Sequence, residues 1–85
     1  MTDQTEMAAV FEALLFASPD PQPEAKLLEV FPEDSREQAR EALQTVLDRY
    51  RADESGARPE RGVVVDQAGG GYRLVTRPDL HSYLR

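Results

Sequence analysis

Met7, Val10, Phe11, Leu14 and Leu15 recur at i, i+3, i+4, i+7 and i+8, the spacing of one face of a helix. Ala8, Ala13 and Phe16 widen that stripe, which predicts a first helix set deep in the core. The segment SPDPQP at 18–23 ends it, because its three closely spaced prolines cannot continue a helix. A short second helix is expected from Pro23 to about Val30. Proline suits a first helical turn, where its missing N–H has no intrahelical partner, and Leu27, Leu28 and Phe31 form one apolar edge. PEDS at 32–35 breaks the chain again. Ser35 and Gln38 stand at the spacing of a capping box, so a third helix is expected to start there. Ala39, Leu43, Val46, Leu47 and Tyr50 mark its buried face, to about Arg51 or Ala52.

Beyond a polar connector, ADESGARPERG, the residues become β-branched and aromatic. Val63–Val65 and Tyr72–Thr76 read as two strands. With Gly69 and Gly70 as a two-residue turn, where glycine makes positive φ easy, Asp66 falls opposite Arg73, Val65 opposite Leu74 and Val64 opposite Val75. A three-residue turn would set Asp66 against Leu74, so the charge match favours the two-residue register. Pro78 ends the second strand, and DLHSYLR reads as the first turns of a further helix. Three helices closed by a two-stranded hairpin make an α+β winged helix, with the hairpin as the wing.

The bulk numbers fit this reading. Eighty-five residues, 40% of them hydrophobic, are enough for one domain with a modest core. The absence of cysteine excludes a disulfide framework, a thiolate metal site and a cysteine nucleophile, and the single histidine, His81, excludes a histidine-rich cluster. MTDQTEM is unlike a signal peptide, and no apolar run nears the roughly 20 residues of a membrane span. A soluble, cytoplasmic chain with no membrane contact is therefore expected. The net charge of −6 is uneven. Residues 1–56 hold thirteen acids and five bases, a balance of −8, while residues 57–85 hold three acids and five arginines, a balance of +2. The body should repel a phosphate backbone, and the glycine-bearing tail could tolerate one.

Three chemistries compete for the run GGGYRLVTRP. A phosphate cradle needs its glycines between a strand and a helix N-terminus, with a lysine to reach the phosphates. Here the glycines are contiguous, lead into a strand and have no lysine nearby, so no nucleotide cofactor is expected. Catalysis and metal binding have no residue set to support them. Glu37, Glu41 and Asp48 fit a solvated helix face, Glu37 and Glu41 repel each other as like charges four apart, and His81 has only Asp79 near it and reads as a surface histidine. DNA is the serious rival, since winged helices often read the major groove with their third helix and touch phosphates with the wing. Over 36–53, however, Arg36, Arg40, Arg49 and Arg51 are matched by Glu37, Glu41, Asp48 and Asp53, a net charge of zero. Arg73 and Arg77 remain as possible DNA-contacting residues of the wing, with Asp66 as the expected partner of Arg73.

EALLFASPDPQP (12–23) and VVVDQAGGGYRLVTRPDLHSYLR (63–85) together resemble the N-terminal winged-helix domain of the segregation and condensation protein B family. The chain departs from that family's pattern at Pro19, where a small residue usually follows the helix-ending serine, and at Pro23, where a serine or threonine cap is common. The resemblance implies a non-catalytic accessory subunit of the bacterial condensin-like complex. It further implies a homodimer that binds the kleisin, segregation and condensation protein A, and through it the chromosome-maintenance ATPase. Such a subunit would be cytoplasmic and nucleoid-associated, with weak or indirect DNA contact. The resemblance also implies two tandem winged helices in the family, of which 1–85 would be the first. A DNA-binding winged-helix transcriptional regulator is the alternative. Phe16, Tyr72, Leu80, Tyr83 and Leu84, large apolar or aromatic groups near element ends, are the candidates for a protein interface. Ordinary core packing is the competing explanation for each.

Overall fold

A computed structural model describes residues 3–51 and 62–83, the side chains of Pro78 and His81 excepted. Helix α1 spans Gln4–Ala17 and is capped by Asp3, whose side chain accepts the Glu6 N–H at 2.8 Å. It buries Met7, Ala8, Phe11 and Leu15. Ala13 and Phe16 are exposed, against the expectation of a wide buried stripe. The cause is angular: five residues on from Phe11 is about 140° around a helix, so Phe16 points away from the face that Phe11 buries.

A two-residue strand, β1 (Gln22–Pro23), precedes helix α2 (Glu24–Leu28). This helix is shorter than expected at both ends. Pro23 is its N-cap, in an extended conformation with φ −60° and ψ 144°, because it already belongs to the strand. At the other end Val30 and Phe31 donate to the carbonyls of Leu27 and Leu28 in tighter, three-residue turns. Val30 is left 50% exposed, whereas Phe31 turns inward against Phe11, ring centroids 5.4 Å apart and edge to face.

The capping box at Ser35 is not formed. Glu33–Ser35 is a 3₁₀ turn in which the Ser35 N–H donates to the Pro32 carbonyl at 3.0 Å, and the serine side chain makes no cap bond. Helix α3 (Arg36–Tyr50) continues from that turn and ends one or two residues earlier than expected. It buries Ala39, Leu43, Val46 and Leu47 as its pattern predicts, and Ala42 as well; Tyr50 is half-buried. Packing of α1 on α3 encloses the core, with Phe11, Met7, Leu15, Leu43 and Val46 fully shielded from solvent.

Strands β2 (Val63–Ala68) and β3 (Gly71–Thr76) form the wing in the expected register, Asp66 opposite Arg73, Val65 opposite Leu74 and Val64 opposite Val75. The short β1 adds to the free side of β3, pairing Gln22 with Tyr72 and Pro23 with Gly71, which gives the sheet order β1-β3-β2. Proline is tolerated there because the strand is at an edge. Val65, Tyr72 and Leu74 lie against the helical core. The last segment, Pro78–Tyr83, is a 3₁₀ helix rather than the opening of an α-helix. The connector at 52–61 and residues 84 and 85 lie outside the described residues.

Candidate functional site

The three glycines of the wing have two different tasks. Gly69 and Gly70 have φ of +58° and +77°, which is the turn expected between them. Gly71 has no such backbone. A Cβ placed on it would lie 2.8 Å from the carbonyl carbon of Gln22 and 3.0 Å from its N and O, so this glycine lets β1 approach β3. The run is thus committed to a hairpin and its neighbour strand.

Both wing arginines are held by acids of their own chain. The Arg73 Nε donates to Asp66 Oδ2 at 3.0 Å, both side chains being about two-fifths exposed. Arg77 forms a fork with Asp79, Nε to Oδ1 at 3.0 Å and Nη2 to Oδ2 at 2.6 Å, and only 12% of its side chain is exposed. Arg49 of α3 pairs with Glu12 of α1 at 3.0 Å, and Arg51, just past the end of α3, with Asp48 at 3.2 Å, while Asp48 also accepts from Gln44. A phosphate backbone approaching the wing meets two arginines already matched by carboxylates. Because the Asp66–Arg73 pair is partly solvated, Asp66→Asn is expected to cost no more than about 1 kcal/mol in urea denaturation. A larger loss would mean that the pair, rather than the apolar residues beside it, sets the register.

The interface candidates separate. Phe16 is 74% exposed and Tyr83 81% exposed. Tyr72 is half-buried against the core, lining a hollow of about 300 Å³ with Leu47 and Val65 between α3 and the sheet. Leu80 is half-buried, with its Cδ1 3.9 Å from the position of a Cβ on Gly62, and the Arg77 N–H holds the Gly62 carbonyl at 2.9 Å. Leu84 lies outside the described residues, as does the side chain of His81. Phe16 stands instead in a second groove, of about 400 Å³, formed by Ala9, Ala13, Tyr50, Val63 and Leu74. Sequence reasoning missed this groove, although Ala9, Ala13 and Phe16 at i, i+4 and i+7 were its visible part. Among the described residues no three His, Cys, Asp or Glu side chains gather as metal ligands, and no helix is long and apolar enough to cross a membrane.

Three helices closed by an antiparallel hairpin define a winged-helix domain. The profile of the family described as Segregation and condensation complex subunit ScpB matches residues 9–85, and the chain belongs to that family. It is 36% identical over 75 residues to Segregation and condensation protein B of Symbiobacterium thermophilum, covering 88% of this chain and 31% of that protein. Its fold is similar to a crystal structure of a conserved hypothetical protein from Chlorobium tepidum, with a TM-score of 0.61 and 23% identity, over 96% of this chain and 48% of the other. The chain therefore spans about a third of the curated relative's length and half of the solved one's.

Proposed function

We propose that this chain is the first winged-helix domain of a non-catalytic subunit of a segregation and condensation complex, and that it works by contacts with protein. It dimerises and takes part in holding the kleisin, segregation and condensation protein A, and so reaches the chromosome-maintenance ATPase indirectly. It acts in the cytoplasm at the nucleoid, in chromosome condensation and partition. The observation that supports protein over DNA is the internal pairing of the wing, Arg73 with Asp66 and Arg77 with Asp79. Breaking such pairs to contact phosphates removes part of the electrostatic gain on which non-specific DNA affinity depends.

The test is fluorescence anisotropy of a labelled DNA duplex titrated with the domain at low and moderate salt, beside calorimetric titration with the kleisin. Binding to the kleisin without a steep, salt-sensitive DNA isotherm is expected. Tight DNA binding that collapses with salt, together with no heat on adding the kleisin, would overturn the reading in favour of a DNA-binding regulator.

A further inference from the structure

The two edges of the sheet are built differently. In the order β1-β3-β2 one edge is β1, two residues long and ending in Pro23, which has no N–H to offer a further strand. The other edge is β2, six residues in unbroken register with β3, without proline, lysine or a bulge. Those are devices that commonly protect an edge from another chain. We propose that the β2 edge takes up an extended segment of a partner protein as an added strand, with an apolar–basic–apolar run set against Val65, Asp66 and Gln67. The inference rests on the reading that the domain works by contacts with protein. It adds to that reading a mode of contact and the chemistry of the segment bound.

Register decides which backbone groups are open to such a strand. Ala68 and Gly71 flank the turn at Gly69 and Gly70, so they exchange hydrogen bonds, and exchanging pairs recur at Asp66–Arg73 and Val64–Val75. The Arg77 N–H donating to the Gly62 carbonyl at 2.9 Å continues that alternation. The N–H and C=O groups of Val63, Val65 and Gln67 therefore point away from β3, and no strand among the described residues pairs with them. The same alternation turns the Tyr72 backbone toward Gln22 on the other side of β3, and leaves Pro23 where no donor is needed. A free row of this kind is what a peptide adding to a sheet uses for affinity.

Side chains decide which segment fits. Incoming residues opposite Val65 and Gln67 lie on the α3 side of the sheet, over the hollow of about 300 Å³ lined by Leu47, Val65 and Tyr72. Branched apolar side chains suit that position, with Gln44 and Arg51 as polar neighbours. The incoming residue between them lies on the opposite face, beside Asp66. Asp66 Oδ2 accepts from Arg73 at 3.0 Å, and its side chain is still about two-fifths exposed. A cation arriving there completes a row of alternating charge across the strands. The net charge of −6 attracts a segment of the same basic character.

Amide hydrogen exchange followed by NMR tests this with two end-capped peptides, STVKVTS and STVEVTS, each reading alike in either strand direction. In the free chain the amides of Val63, Val65 and Gln67 should exchange quickly, while those of Val64, Asp66 and Ala68 are protected by β3. Saturating STVKVTS should slow exchange at Val65 and Gln67 roughly tenfold or more, and it should bind roughly fivefold more tightly than STVEVTS. Gln67→Pro removes an edge donor that the β2–β3 ladder does not use, so affinity should fall roughly tenfold in a chain still folded by circular dichroism. In Asp66→Asn the two peptides should bind alike, an arm that decides the matter even if the proline variant unfolds. Val65 and Gln67 amides already protected in the free chain would overturn the inference, and protection that fades on dilution would assign the edge to a second copy instead. Binding undiminished in a folded Gln67→Pro also overturns it. If neither peptide protects the edge while calorimetry still shows the kleisin binding, the inference fails and the protein-contact reading stands. Failure of both titrations removes both.

Discussion

Phe11→Ala is expected to remove about 3–5 kcal/mol of stability, read as the shift of the urea midpoint by circular dichroism. The side chain is 0% exposed, sits among the α1 and α3 residues of the core and meets Phe31 edge to face. The edge-to-face pair adds about 0.5–1.5 kcal/mol to the area it buries. A domain of this length has a total of only about 4–13 kcal/mol to lose. The variant should therefore lie close to its unfolding midpoint without denaturant. Phe16→Ala, on the same helix, makes the contrast: at a concentration where the chain is monomeric it should stay within about 0.5 kcal/mol of the wild type. Equal losses from the two would contradict the facing of α1.

Gly71→Ala is expected to cost about 2–3 kcal/mol, a large effect for one methyl group. The neighbours that crowd it are the backbone atoms of Gln22, which no rotamer change can move, so β1 must part from β3. Gly69→Asn should be close to neutral, since nothing lies within 4 Å of its Cβ position and asparagine accepts positive φ in a hairpin turn of this kind. Paired melts of the two variants separate a steric role from a conformational one. If Gly71→Ala melts with the wild type, β1 does not pair with β3 in solution.

Much of the architecture was legible because it rests on local signals. The helical periodicity of 7, 11 and 15 and of 39, 43, 46 and 47 named the packed faces, and the charge match of Asp66 with Arg73 selected the register. The features that escaped depend on contacts between distant residues. Two ladder pairs are too few to leave an alternating pattern, so β1 was invisible and Pro23 was assigned to the helix it precedes. Ser35 has the right spacing for a capping box, but the 3₁₀ turn from Pro32 already satisfies its backbone, leaving the side chain no role as a cap. Phe16 could not be told from a core residue by hydrophobicity alone. The groove beside it joins α1, the end of α3 and the hairpin, and the ion pair at its edge links residues 12 and 49. Neither has a linear signature.

The two-residue strand beside the wing also orders events in time. The β2–β3 hairpin joins sequence neighbours and can close within about 1–10 μs. The β1–β3 ladder joins Gln22 to Tyr72, a closure across about fifty residues whose entropy is offset only after the helices between them have packed. It therefore forms late, and weakening it should speed unfolding while leaving the folding rate almost unchanged. Gly71 then acts as a latch on lifetime: it governs how long the native domain persists once made, not how quickly it is reached.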